Sequence, residues 1–134
     1  MIDRLSPNFD SRDGIAIDLV VLHYTGMKDA ETALRRLIDA SPMAGDYPGP
    51  WQDPNIDPQT PLSRVSAHYV VGEGGDVFRV VPEDMRAWHA GVSHWEGQAN
   101  TNARAIGIEI ANGGHDYGLP PYPEAQIAAV IALV

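Results

Sequence analysis

The sequence predicts an α/β domain, because buried strands, a β-hairpin and two amphipathic helices follow one another along 134 residues. Residues 19–22 and 105–112 are short apolar runs, typical of strands buried on both faces. Apolar side chains recur at helical spacing over residues 30–40 and again after Pro123. The length suits a single domain with its own hydrophobic core.

Composition narrows the class of protein. A hydrophobic content of 44% with 20% charged residues is typical of a soluble globular domain, and no apolar run reaches the length of a membrane segment. The net charge of −9, with nine Lys and Arg in total, argues against a nucleic-acid partner. The absence of cysteine excludes thiolate metal ligands. Without a signal-like N-terminal pattern, we expect a cytoplasmic protein.

The first half of the chain is organised around the stretch at residues 17–25, in which the apolar strand at 19–22 ends on His23. A turn-rich lead-in, residues 1–16, precedes it. Asp29 is suited to cap the helix that follows. Residues 41–62 contain six prolines, so we predict a long loop there, anchored by Trp51.

The second half begins with a predicted β-hairpin, residues 66–72 and 76–81, around a Glu-Gly-Gly turn. Residues 83–102 are rich in aromatic and small side chains and are expected to form a wall of a binding cleft. The strand at residues 105–112 carries a single carboxylate. The last helix should pack on the sheet through one apolar stripe, formed by Ile127, Val130, Ile131 and Val134.

The residues themselves leave the chemistry open. Glu109 stands in an apolar strand, so its side chain either faces solvent or lies in a cleft, where its pKa would rise and suit acid–base work. His23, at a strand end, is either a hydrogen-bonded polar residue or a ligand. For His68 we favour a structural, hydrogen-bonded imidazole. His89 and His94 are not at a chelating spacing.

Taken together, several segments resemble the zinc-dependent N-acetylmuramoyl-L-alanine amidases of the type 2 family, which share their fold with peptidoglycan recognition proteins. The matching segments are Val-Leu-His-Tyr-Thr at 21–25, Ser-Ala-His-Tyr at 66–69, Val-Pro-Glu at 81–83, Arg-Ala-Trp-His-Ala-Gly at 86–91, Ile-Gly-Ile-Glu-Ile-Ala-Asn at 106–112 and Pro-Glu-Ala-Gln at 123–126. The resemblance implies a mixed central β-sheet with flanking helices. It also implies hydrolysis of the amide between N-acetylmuramic acid and L-alanine in peptidoglycan or muropeptides.

The same resemblance assigns roles to individual residues. It makes His23 the first zinc ligand and Glu109 the catalytic carboxylate, while Trp88, His89 and Ala90 line the muropeptide cleft. Zinc in such a site polarises the scissile carbonyl and lowers the pKa of a water toward ~7.

The resemblance also indicates which functional residues of the family have no counterpart in this sequence. The family takes two further ligands, a histidine and an aspartate, and a lysine from a region beyond the helix that begins near Pro123. We therefore expect residues 1–134 to be a single amidase domain truncated at its C-terminus, inactive alone, with His23 in an open groove beside Glu109. A non-catalytic peptidoglycan-binding module is the alternative, and Glu109 favours the enzyme. The sequence does not choose between intact wall and anhydro-muropeptides.

Overall fold

The computed structural model describes all residues from 1 to 134. Nine strands and three α-helices form in chain order: β1 (Ile2–Asp3), β2 (Phe9–Ser11), β3 (Leu19–Tyr24), α1 (Ala30–Ile38), β4 (Tyr69–Val71), β5 (Val77–Arg79), β6 (Met85–Ala87), β7 (His94–Trp95), β8 (Gln98–Ala99), α2 (Thr101–Arg104), β9 (Ala105–Ile110) and α3 (Glu124–Leu133). No helix combines the length and the apolar character needed to cross a membrane. The predicted α/β class is confirmed.

One mixed sheet dominates the fold. Its five strands lie in the order β1-β5-β4-β9-β3, with β9 parallel to both of its neighbours and β4–β5 an antiparallel hairpin. The predicted hairpin is therefore confirmed. Two small antiparallel pairs, β2 with β6 and β7 with β8, lie outside this sheet.

Helix α1 forms as the sequence predicts. Asp29 is its N-cap and accepts a 2.8 Å hydrogen bond from the backbone N–H of Thr32 through Oδ1. Its buried face joins the larger part of the hydrophobic core, made of Leu34, Leu37, Val70, Val80, Val81 and Ala87. The helix is thereby fixed against the hairpin strands.

The proline-rich stretch, residues 41–62, is a loop apart from one short 3-10 turn at Ala44–Asp46. Trp51 is 43% exposed, so the prediction that it anchors the loop is wrong. Tyr47 is the anchor: it is buried, and its hydroxyl donates to Asp39 Oδ2 at 2.6 Å on the end of α1. A phenol can bury its ring while its hydroxyl keeps a partner, which suits this role.

Strand β3 forms where predicted, but the expectation that both of its faces are buried is wrong. It is an edge strand, paired with β9 alone. Alternate side chains on one face are exposed, namely Val20 at 44%, Leu22 at 51% and Tyr24 at 51%. An apolar run without alternation cannot reveal from sequence which strand will lie at the edge.

Helix α3 forms as predicted but buries a different face. Ile127, Ile131 and Val134 of the expected stripe are 46%, 72% and 69% exposed. Its one fully buried residue is Gln126, whose Nε2 donates to the carbonyls of Val71 and Ala111 at 3.1 and 2.8 Å. These two hydrogen bonds, which we call the Gln126 clip, fix the rotation of α3 about its axis. The residues that face the sheet are consequently Ala129, Val130 and Leu133.

The short elements near the N-terminus and before β9 are absent from the sequence prediction. Residues 1–16 were expected to be turns, yet they contribute β1 to the main sheet and β2 to the pair with β6. Residues 83–102 contain β6, a small hairpin and the start of α2. Strands of two or three residues are too short for alternation to be visible.

The Gln126 clip predicts that Gln126→Ala destabilises the protein. The substitution removes the hydrogen bond to the Ala111 carbonyl and leaves a void under α3, so we expect a loss of about 1–3 kcal/mol in the free energy of unfolding. Urea denaturation measures it. Gln59→Ala, at an exposed loop position, is the control, with an expected change within about 0.5 kcal/mol. Equal effects of the two substitutions would show that the hydrogen bonds of Gln126 contribute nothing to the free energy of unfolding.

Candidate active site

The candidate site is built on the register between β3 and β9. His23 lies directly opposite Glu109 in this parallel pair, near the carboxyl ends of both strands. Side chains at matched positions of neighbouring strands point to the same face, about 5 Å apart. The pairing therefore places an imidazole and a carboxylate side by side on a rigid part of the sheet.

Glu109 lies in a groove between the sheet, α1 and the segment after β6, and His23 lies beside it. A cavity of ≈ 320 Å³ occupies this groove. Its lining includes Thr25, Met27, Ala33, Arg36, Leu37, Trp51, Leu62, Val65, Ser66, Trp88, His89 and Glu109. Of the two positions predicted for Glu109, solvent or cleft, the structure shows the cleft.

A glycine in β9 makes room for a second imidazole. A Cβ atom at Gly107 would collide with the ring of His89, which lies directly over this glycine. From there His89 Nδ1 is 3.0 Å from His23 Nε2, close enough for one ring to donate to the other. Gly107 therefore allows His89 to contact His23, although the two residues are 66 positions apart.

His68 extends this row of imidazoles on the buried side. Its ring centroid lies 5.9 Å from that of His89, and the His23 centroid lies 5.2 Å from His89 on the other side. His68 is fully buried, and its Nδ1 accepts a 3.0 Å hydrogen bond from the N–H of Gly107. The other ring nitrogen, Nε2, lies between the Met85 carbonyl, 3.0 Å away, and the buried guanidinium of Arg12, whose Nη2 is 2.8 Å away. The predicted structural role of His68 is confirmed.

Burial sets the protonation of the groove. It raises the pKa of Glu109 to about 7, because the charged carboxylate loses water without gaining an ion pair. Burial also lowers the pKa of His89 to about 3, with a further contribution from the neighbouring His23 and His68. The pKa of His23 is lowered as well. The groove thus combines neutral imidazoles with a carboxyl group that exchanges its proton near neutral pH.

The chain does not form a complete metal site. His23 offers an imidazole beside the cavity, but no group of three or more His, Cys, Asp or Glu side chains comes together anywhere in the 134 residues. A zinc site needs at least three protein ligands. Zinc thus fits these residues only as a partial site, with His23 as its one candidate ligand.

Of the other residues singled out in the sequence, some line the cavity and others do not. Trp88 lines the cavity, and its backbone N–H donates to Ser66 Oγ at 3.0 Å. Ala90 does not line it; its N–H is held by Asn102 Oδ1 at 2.9 Å, which also binds the N–H of His89. His94 is exposed on the small β7–β8 hairpin and takes no part in the row of imidazoles.

Sequence reasoning missed the contact between His89 and His23, as well as the position of Arg36 in the groove wall. The signal for the first was present: a glycine inside a buried strand often marks the close approach of another group. No comparable signal exists for Arg36, because its orientation depends on how α1 packs.

The raised pKa of Glu109 predicts a pH-dependent stability. The pKa of Glu109 rises from its ordinary value of 4.5 in the unfolded chain to about 7 in the fold. The contribution of protonated Glu109 to the free energy of unfolding is therefore fully present below pH 4.5. It is lost as the pH rises through about 7, by up to about 3 kcal/mol. Denaturation of wild type and Glu109→Gln across this range isolates the contribution, which the variant should lack. Identical pH profiles would contradict the burial of a carboxyl group here.

Comparison with known proteins agrees with this geometry. The Amidase_2 family, described as N-acetylmuramoyl-L-alanine amidase, matches residues 13–134. The chain is 39% identical over 100 residues to the 1,6-anhydro-N-acetylmuramyl-L-alanine amidase AmpD of Escherichia coli K12, an alignment that covers 66% of this chain and 55% of AmpD. It is 30% identical over 129 residues to N-acetylmuramoyl-L-alanine amidase AmiD of the same organism, covering 87% of this chain and 38% of AmiD. The chain thus spans about half the length of the AmpD relative.

Solved structures show the same fold. A crystal structure of a selenomethionine AmpD derivative superposes with a TM-score of 0.73 at 29% identity, over 98% of this chain and 70% of that one. The Escherichia coli AmiD complex with anhydro-N-acetylmuramic acid-L-Ala-D-gamma-Glu-L-Lys gives a TM-score of 0.64 at 29% identity, over 92% of this chain and 42% of that one. With the predicted motifs and fold in place, this chain belongs to the N-acetylmuramoyl-L-alanine amidase family, the zinc-dependent type 2 amidases.

Proposed function

We propose that this protein hydrolyses the amide bond between N-acetylmuramic acid and L-alanine in muropeptides. The observation that carries the proposal is the pairing of His23 with Glu109 at the carboxyl ends of two parallel strands, beside a groove that Glu109, Trp88 and His89 line. The family match supports the reaction class. The groove supports a substrate with an apolar or sugar face that can lie against the indole.

Glu109 is the proposed proton acceptor in this reaction. A general base works best when its pKa lies near the working pH, and burial brings the pKa of Glu109 to about 7. It can take the proton of an attacking water and deliver it to the departing amine of L-alanine. The neutral imidazole of His89 supports the ring of His23 from the side and places no positive charge next to the base.

We further propose that the whole protein uses zinc, with His23 as one ligand and the remaining ligands outside these 134 residues. Zinc in such a site supplies Lewis-acid activation of the scissile carbonyl. Support comes from the zinc-dependent family and from the incomplete ligand set around His23.

The likeness to AmpD favours a soluble 1,6-anhydro-muropeptide as the substrate over intact cell wall. The AmiD complex, in which the ligand keeps its peptide stem, supports a groove that holds both the sugar and the peptide. We propose a cytoplasmic recycling role, which accords with a soluble substrate of this kind.

A peptidoglycan-binding module without activity is the second candidate, favoured by the incomplete metal site. A binding module gains nothing from a buried carboxyl group, because a buried carboxyl without a partner costs stability. Glu109 thus distinguishes the two functions.

We predict that Glu109→Gln keeps the zinc content of the whole protein but lowers turnover of an anhydro-muropeptide by ~10²–10⁴, since the amide cannot accept the water proton. His23→Ala should lose both zinc and turnover, because one of few ligands is gone. Elemental analysis and chromatography of the released stem peptide measure these effects.

The control is His115→Ala, at an exposed histidine in the turn after β9, which should leave both zinc and rate unchanged. An unchanged rate in Glu109→Gln would refute the role of this carboxylate. Binding of the muropeptide by a zinc-loaded wild type that never cleaves it would establish the binding module instead.

A further inference from the structure

The cations of this acidic protein are distributed unevenly. Four of the nine Lys and Arg side chains form ion pairs with carboxylates: Arg4, Arg79, Arg86 and Arg104. Two more form no ion pair but donate hydrogen bonds to the protein, Arg12 in the interior and Arg64 at the exposed surface. Arg12 is buried and donates to the carbonyls of residues 83, 102, 103 and 105, and Arg64 donates to Asn8 Oδ1 and the Pro7 carbonyl.

The three remaining cations, Lys28, Arg35 and Arg36, lie together on α1 and the residues just before it. None has a carboxylate within 4.0 Å. Lys28 is exposed and makes no side-chain hydrogen bond, while Arg35 reaches only the Asp46 carbonyl, at 3.4 Å. We call this set the cationic wall. In a chain with a net charge of −9, three neighbouring cations that form no ion pair offer a positive surface to an anionic ligand.

The cationic wall borders two cavities that adjoin one another. Arg36 lines the cavity that contains Glu109, while Lys28 and Arg35 line a second cavity of ≈ 500 Å³. Met27 and Trp51 line both, so the second cavity continues the first past the indole of Trp51. One acidic side chain, Asp46, also lines the second cavity.

Arg36 is only partly satisfied by the protein. Its Nη2 donates to the Ser63 carbonyl at 2.6 Å, and its guanidinium lies over the Tyr47 ring at 5.4 Å. Its Nη1 is buried and has no acceptor. An unsatisfied charged donor is costly, and a carboxylate in the groove that draws the guanidinium outward would supply the missing acceptor.

We propose that Lys28 and Arg36 of the cationic wall bind a free carboxylate of the substrate's peptide stem, which runs from Glu109 past Trp51 into the second cavity. The inference rests on the proposed function and adds a determinant of specificity to it. A stem with a γ-linked glutamate carries such a group, because the γ-linkage leaves the α-carboxylate free. Replacing that carboxylate by an amide removes the charge and keeps the shape.

Calorimetric titration with two peptides tests the proposal without depending on catalysis. The peptides are L-Ala-γ-D-Glu-L-Lys and its counterpart with D-isoglutamine in place of D-glutamate. Wild type should bind the carboxylate form about tenfold more tightly, as expected for a charge-assisted hydrogen bond. Lys28→Gln/Arg36→Gln should bind both peptides equally within about twofold, and Lys28→Gln alone should show an intermediate preference.

The matched control is Arg4→Gln/Arg79→Gln, which removes the same charge from exposed ion pairs and should keep the wild-type preference. A preference that persists in Lys28→Gln/Arg36→Gln, or a wild type that does not discriminate or binds neither peptide, would overturn the proposal. Hydrolysis of the anhydro-muropeptide that carries the same stem, and with it the scissile amide that the free peptides lack, is measured in parallel. Selective binding without hydrolysis would refute the proposed function alone, whereas hydrolysis without selective binding would refute the cationic wall alone.

Discussion

The parallel register of β3 on β9 is the constraint on which the site depends. It sets His23 opposite Glu109 and, two residues earlier, Val21 opposite Gly107. A slip of one residue would turn one of the two functional side chains to the other face of the sheet. The same pairing leaves the glycine where the His89 ring must lie. Backbone hydrogen bonding thus positions the imidazole, the carboxylate and the space for a second imidazole at once.

The chemistry of the groove follows from its burial. A carboxyl group that finds no cation stays protonated to about pH 7, and imidazoles packed against one another stay neutral. Arg36 on α1 lines the same cavity, yet burial and not a neighbouring charge determines the pKa of Glu109. The base is thereby kept apart from the cations, so that one part of the groove can exchange protons while another can hold a charged ligand.

Sequence reasoning recovered the elements with strong local signals. The Asp29 cap, the hairpin turn and the two long strands of the sheet are all recognisable from a few neighbouring residues. The same reasoning failed where tertiary packing determines which residues are buried or in contact. The face of α3 depends on the buried amide of Gln126, the edge position of β3 on the order of the sheet, and the contact of His89 with His23 on residues far apart in the chain. The strands β1 and β2 are too short to carry a pattern at all.

We propose above that this groove belongs to an enzyme that hydrolyses the amide between N-acetylmuramic acid and L-alanine. Hydrolysis of an anhydro-muropeptide by the whole protein in ¹⁸O-labelled water, followed by mass spectrometry of both products, tests it most directly. We expect one ¹⁸O atom in the lactyl carboxylate of the sugar and an unlabelled peptide with a free L-alanine amine. Cleavage at a bond within the peptide or in the sugar, or no cleavage at all, would contradict it.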